Sequence, residues 1–259
     1  QNNLIDVKQS GTVLRFLISL FAYENRNVII TGKKSLLRRP IKDLIESLEK
    51  LGASIKKAHN KIIIEHCNLH SASISFQQMY TSQFISSILL ISPYLPNGIT
   101  LKLPLKLFSL PYIQMTVKIM ENCGANLTWK ENIIQVLNQP YSNILTKVEA
   151  DWTSASYLFL SFSFSKLKTI KIYSLCKDSL QPDKIIVDFF ALLGIQTQFY
   201  VDHIVLNKAI ELTIPKMVVW DFNQNPDVFP TIIVACIGFN IDLCATGIES
   251  LKYKESNRI

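Results

Sequence analysis

The chain has 259 residues, 48% of them hydrophobic, and a formal net charge of +7 at pH 7. That much apolar side chain excludes a disordered protein and suffices for one large domain or two smaller ones. The longest mostly apolar stretch, FISSILLISPYL, is too short to cross a bilayer and is broken by Pro93, so no membrane partner is expected. Nucleic acid would call for a dense basic stripe interleaved with aromatics, whereas the one short basic run is Lys33, Lys34, Arg38 and Arg39. Small anions, phosphates or carboxylates, explain the charge equally well. The cysteines (Cys67, Cys123, Cys176, Cys236, Cys244) are odd in number and form no C-x-x-C pair, which predicts reduced thiols and a cytoplasmic location.

In chain order, SGTVLRFLISLF reads as an apolar helix opened by small and polar residues, and NVIIT as a strand. RPIKDLIESLEKLGA follows at helical period, with Ile41, Leu44, Ile45, Leu48 and Leu51 on one stripe and Gly52 placed for a left-handed cap. Two short β-like runs then make a hairpin. TSQFISSILLI, ITLKL and LPYIQMTVKIMENCG with its hairpin repeat this order, as do TSASYLFLSF, TIKIY and QPDKIIVDFFALLG with theirs. Pro40, Pro111 and Pro182 open the second helix each time and stand 71 residues apart. The unit is therefore βαβαββ, present three times. NPDVFPTIIVAC and NIDLC begin a fourth, and LKYKESNRI falls where its second helix would start, with Lys254 and Arg258 four apart on one face and Glu255 beside them. The expectation is an incomplete protein, with a hinge between domains near Val148 to Asp151.

Helix starts that gather around one cleft favour anions, through unpaired amides and the helix dipole. Thr81-Ser82-Gln83 supplies two hydroxyls and an amide at one such start, and Ser109, ahead of Leu110-Pro111-Tyr112, a hydroxyl at another. Gly11-Thr12 with Arg15, and Arg38-Arg39 before Pro40, offer close backbone approach and guanidinium forks. The plain alternative for each is helix capping. Asp227 has the same position with the opposite charge, suited to a capping carboxylate or to taking a proton from a hydroxyl; Glu255, next to Lys254 and Arg258, is a second proton-transfer candidate. His66, Cys67 and His70 lack a further ligand pair, so no metal is expected there. No P-loop, G-x-G-x-x-G or G-x-S-x-G motif occurs.

SGTVLRFL, RRPIKDLIESLEKLGA, TSQFISSILL, SLPYIQMTVKIM, VEADWTSASYLF, NPDVFPTIIV and LKYKESNRI follow one another as in 5-enolpyruvylshikimate-3-phosphate synthase, and the chain resembles that family throughout its length. The resemblance implies an α/β (α+β) fold of repeated βαβαββ units in an inside-out, barrel-like two-domain architecture. Residues 1–149 would be two units of the first domain, and residues 150–259 one unit plus the start of the next in the second. It further implies transfer of the enolpyruvyl group of phosphoenolpyruvate to the 5-hydroxyl of shikimate 3-phosphate, by a monomer needing no metal or organic cofactor.

By the same resemblance Thr81, Ser82, Gln83, Ser109 and Tyr112 contact shikimate 3-phosphate. Gly11, Arg39, Gln83 and Arg258 line the phosphoenolpyruvate side, with Thr12, Arg15 and Ser250 as further substrate contacts. Asp227 meets the attacking hydroxyl, Lys254 adds a polar contact there, and Glu255 moves the proton at the methylene carbon. Gln9-Ser10 stand where the family has Asn-Ala, Phe16 where it has proline, Ser250 where it has asparagine and Lys252 where it has arginine. The P-G-S-K-S-type motif and later arginine and lysine segments are absent, so this chain alone is expected to lack full activity. The sister family, UDP-N-acetylglucosamine enolpyruvyl transferase, carries a cysteine before its arginine-proline pair, where TGKKSLLRRP has none. An RNA- or anion-binding module of the same units is the non-enzymatic alternative.

Overall fold

Strand β1 (Asn3–Asp6) leads into helix α1 (Gly11–Tyr23), which returns the chain to β2 (Val28–Thr31), parallel to β1. The computed structural model describes residues 3–77, 81–105, 107–142, 148–210, 213–254 and 256–259. Ser10 caps α1, its Oγ accepting the Val13 amide at 3.2 Å, and Leu14, Ile18 and Ala22 form the buried stripe. After the short helix α2 (Lys34–Leu37), helix α3 (Lys42–Lys50) buries Leu44, Ile45 and Leu48, and Gly52 turns the chain into the hairpin β3 (Ser54–Ala58) and β4 (Lys61–Glu65). β4 inserts antiparallel between β2 and β3, giving the order β1-β2-β4-β3.

The next elements are β5 (Ser73–Ser75), α4 (Gln83–Ile91), β6 (Ile99–Lys102), α5 (Leu110–Asn122), β7 (Leu127–Lys130) and β8 (Ile133–Val136). Their sheet has the same plan, β5-β6-β8-β7, with β5 and β6 parallel. Both sheets and their helices share one core, which includes Ile30, Leu48, Ile62, Phe84, Leu101 and Ile134. Helices that each follow one of two parallel strands run in the same direction. Buried hydroxyls join α1 to α4 and α4 to α5: Ser19 Oγ donates to Ser87 Oγ at 3.0 Å, and Ser86 Oγ meets Thr116 Oγ1 at 2.8 Å.

Asp151 caps α6 (Trp152–Phe164), accepting the Thr153 and Ser154 amides. β9 (Thr169–Tyr173), a 3-10 turn Pro182–Ile185, α7 (Ile186–Leu192), β10 (Ile195–Phe199) and β11 (His203–Lys208) follow, in an antiparallel sheet β10-β11-β9. β12 (Met217–Asp221), a 3-10 turn Pro226–Val228, α8 (Phe229–Phe239) and β13 (Asp242–Thr246) make a parallel strand pair with its crossover helix. A second core, built on Trp152, Phe159, Phe189, Phe190 and Phe222, serves these elements. By contacts the chain divides into two compact units: Gln1–Ile144 with Tyr253–Asn257, and Leu145–Lys252 with Arg258–Ile259.

Two local expectations change, and one lies outside the described residues. A first strand of the third unit, 71 residues beyond β5, would occupy positions that lie outside the described residues. Pro111 sits in the first turn of α5 and Pro182 opens a 3-10 turn, but Pro40 precedes α3, whose helical residues begin at Lys42. LKYKESNRI does not start a helix with Lys254 and Arg258 on one face. Glu249–Tyr253 is a 3-10 turn, and the chain then loops back so that the Arg258 amide reaches the Leu251 carbonyl at 3.3 Å, seven residues earlier, a closure α-helical bonding does not make.

Gly52 has φ of 99°, and a Cβ there would lie 2.9 Å from the Asn68 carbonyl oxygen. Replacing it by alanine is expected to cost about 1–2 kcal/mol, the ordinary penalty for a side chain in the left-handed region. Urea unfolding should show a lower midpoint with an unchanged slope. An unmoved midpoint would mean that the turn relaxes without cost.

Candidate functional site

The first unit brings helix starts together. Gln83 Nε2 donates to Thr12 Oγ1 at 3.0 Å, and Arg15 Nη1 donates to Gln83 Oε1. With the Ser19–Ser87 bond, these contacts ascend together along α1 and α4, so the two helices run parallel with their starts at one end. The Ser86–Thr116 bond lies one turn into α4 and two into α5, which brings the start of α5 to the same end. Gly11, Thr12, Arg15, Thr81, Ser82, Gln83, Ser109 and Tyr112 therefore belong to one neighbourhood.

Arg39 joins them. A Cβ on Gly11 would lie 2.6 Å from Arg39 Nη1 and 3.2 Å from Arg15 Nη1, so the missing side chain is what admits two guanidinium groups beside the start of α1. Arg39 Nη2 also donates to the Tyr253 carbonyl at 3.3 Å, which fixes the backbone one residue before the half-buried Lys254.

Capping explains only some of these positions. Thr81 Oγ1 accepts the Gln83 amide at 3.4 Å, as a cap does. Ser82 and Ser109 are buried at N-cap positions, yet neither side chain caps its helix. Ser109 is moreover left-handed, with φ of 58° and ψ of 38°, a conformation costing a serine roughly 1–2 kcal/mol.

In the second unit, Arg258 Nη1 donates to Asp227 Oδ1 and to the Pro226 carbonyl, both at 3.2 Å. Both side chains are partly exposed, so the pair positions the groups more than it stabilises the fold. Ser250 is 2% exposed, and its Oγ has no hydrogen-bond partner among the described residues. Glu255 lies outside the described residues.

The sequence reading passed over Asn225, Asp183 and Gln181. Asn225 Nδ2 donates to the Pro182 carbonyl at 2.8 Å, locking together the turns that carry Asp183 and Asp227. Asp183, 2% exposed, takes the Thr153 hydroxyl, and Gln181 bridges the Trp152 amide and the Ala150 carbonyl. The signal was available: Gln181-Pro182-Asp183 and Asn225-Pro226-Asp227 share a polar–proline–aspartate pattern. Among the described residues no three or more His, Cys, Asp and Glu gather as metal ligands would, and no helix is long and apolar enough to cross a membrane. Cys67 is buried, its thiol donating to the Ala22 carbonyl at 3.6 Å.

Cations and hydroxyls gathered where parallel helices begin are the arrangement of an anion-binding α/β protein. The chain matches the EPSP synthase (3-phosphoshikimate 1-carboxyvinyltransferase) family over residues 1–259 and belongs to it. It is 35% identical over 263 residues to the 3-phosphoshikimate 1-carboxyvinyltransferase of Bacteroides fragilis, an alignment covering 100% of this chain and 64% of that protein. Against the enzyme of the same name from Methanosphaera stadtmanae it is 31% identical, over 99% of this chain and 62% of the relative. The chain thus spans less than two thirds of the length of these relatives. A solved EPSP synthase from Acinetobacter baumannii has the same fold, with a TM-score of 0.71 at 17% identity over 99% of this chain and 59% of that one.

Gly11→Ala isolates the guanidinium contribution. Alanine is the better helix former, so thermal stability should hold or rise. Apparent affinity for inorganic phosphate should fall about tenfold, the scale of one charge-assisted hydrogen bond. Equal phosphate affinity in calorimetric titrations of the two proteins would show that Arg39 does not serve an anion.

Proposed function

We propose that this chain forms part of an enzyme that transfers the enolpyruvyl group of phosphoenolpyruvate to the 5-hydroxyl of shikimate 3-phosphate and releases phosphate. The observation that carries the proposal is the joining of Thr12, Arg15, Gln83 and Arg39 around Gly11, in a chain that matches the family over residues 1–259. Both substrates are anions, and guanidinium groups at helix starts lower the repulsion of bringing them together.

In this reading Ser82, Ser109, Thr81 and Tyr112 receive shikimate 3-phosphate, with Gln83 shared between the substrates. Arg39, Gly11 and Arg258 take the phosphoenolpyruvate side, and Thr12 and Ser250 belong to the surrounding contacts. The hydroxyl oxygen attacks C2 of phosphoenolpyruvate while C3 gains a proton, giving a tetrahedral intermediate. Loss of that C3 proton and cleavage of the C2–O bond to phosphate then yield the product. Asp227 accepts the hydroxyl proton, Lys254 holds the oxygen, and Glu255 carries the proton to and from C3.

The same reading gives the finer architecture: three βαβαββ units and the opening of a fourth in an inside-out, barrel-like arrangement. Residues 1–149 fall in one domain and 150–259 in the next, with a hinge near Val148 to Asp151. Two four-stranded sheets of identical order support it. A cytoplasmic monomer without metal, organic cofactor or nucleic acid completes the proposal, and five free cysteines accord with a reducing compartment.

Phosphate release by the full-length encoded protein tests this reading. It should require phosphoenolpyruvate and shikimate 3-phosphate together, and UDP-N-acetylglucosamine should not substitute. Asp227→Asn should lower kcat by roughly two powers of ten, with KM for shikimate 3-phosphate changed far less. Turnover with the nucleotide sugar, or an unimpaired Asp227→Asn enzyme, would overturn the assignment.

A further inference from the structure

A glutamine amide has two ends of nearly equal shape and opposite polarity: the NH2 donates, the carbonyl oxygen accepts. Turned one way it attracts an anion, and turned the other it repels one. What decides the orientation of Gln83 is therefore a functional question. Thr12 cannot decide it, because a hydroxyl donates as readily as it accepts and would bond either end. Arg15 can. Its guanidinium has five donors and no acceptor, so it bonds the Gln83 carbonyl and repels the NH2.

Arg15 is itself held firmly. The residue is 4% exposed on the inner side of α1, and its Cζ lies 5.6 Å from the centroid of the Phe84 ring, the residue next to Gln83. In such surroundings a charged donor is attracted more strongly to a carbonyl, and repelled more strongly by an NH2, than in water. With Oε1 turned to Arg15 and one N–H spent on Thr12, Gln83 keeps a second N–H.

We propose that Arg15 is a positioning residue that locks the Gln83 amide so that an N–H, and not a carbonyl, faces an anionic ligand at the helix starts. This rests on reading the cluster as the anion site, and it gives Arg15 a role exerted through Gln83 in place of direct substrate contact.

A double-mutant cycle in the full-length encoded protein tests it. Arg15→Met keeps length and apolar volume but removes the donors. Alone it should lower kcat/KM for shikimate 3-phosphate about as much as Gln83→Ala does, roughly tenfold, the scale of a hydrogen bond to a charged group. Added to Gln83→Ala it should cost less than a further factor of two. Losses that multiply would overturn the proposal while leaving the anion-site reading intact. If neither single substitution changes kcat/KM or phosphate affinity, both fall. Gln83→Glu leaves Arg15 untouched and guards against a misfolded methionine variant. It offers only oxygen to the ligand, so phosphate affinity should drop at least tenfold while the melting temperature holds. Unchanged phosphate affinity in a folded Gln83→Glu protein would also refute the lock.

Discussion

Parallel pairing of β1 with β2, and of β5 with β6, is the constraint on which the rest of the first unit depends. Two parallel strands cannot be joined by a tight turn; the chain must travel back along its own length, and a helix is the compact way to do so. Each such helix begins beyond the carboxyl end of a strand, where α/β sheets place their ligands. Repeating the arrangement brings equivalent helix starts side by side. The hydrogen bond between Thr12 and Gln83 joins residues 71 apart, the same interval that separates the three prolines. A period in the sequence has become a contact in space.

The interface between these helices is not purely apolar. Ser19, Ser87, Ser86 and Thr116 are buried and bond one another, and Ser156 with Thr231 does the same between α6 and α8 at 2.7 Å. A slip along either helix would leave buried hydroxyls unpaired, at about 1–3 kcal/mol each. Leucine pairs would tolerate such a slip far better. The small hydroxyl residues thus hold the register that sets Arg15 against Gln83, and register is what a site built from separate helix starts requires.

Local patterns were the legible part of the sequence. The stripe Leu44, Ile45, Leu48 announced α3, and Gly52 adopts the positive φ foreseen for it, as do Gly124 and Gly194 at the ends of the two matching segments. The helix starts at Ser82 and Ser109 were found too, because small polar residues ahead of an apolar run have a local cause. What could not be read is what those side chains do. Capping and ligand binding demand the same residue types, and only coordinates distinguish Ser10, which caps, from Ser109, which is left-handed and does not. Arg258 misled for a different reason. Its spacing from Lys254 suggested a shared helix face, but its partner is Asp227, 31 positions away, and no periodicity reports so distant a pairing.

The two units use one backbone device with opposite charges. A helix start is electropositive wherever it occurs, and what occupies it is a choice of side chain. In the second unit the protein's own carboxylates take the place: Asp151 caps α6, Asp183 holds the Thr153 hydroxyl, and Asp227 faces Arg258. An added phosphate would meet negative charge there, whereas a hydroxyl would meet an acceptor. In the first unit the corresponding positions carry glycine, serine and threonine, with Arg15 and Arg39 alongside, and α5 begins without a side-chain cap. Among the described residues no carboxylate occupies these starts, and α1 is capped by the neutral Ser10 hydroxyl. Helix starts of both kinds thus arise on similar strand–helix scaffolds by changing a few side chains.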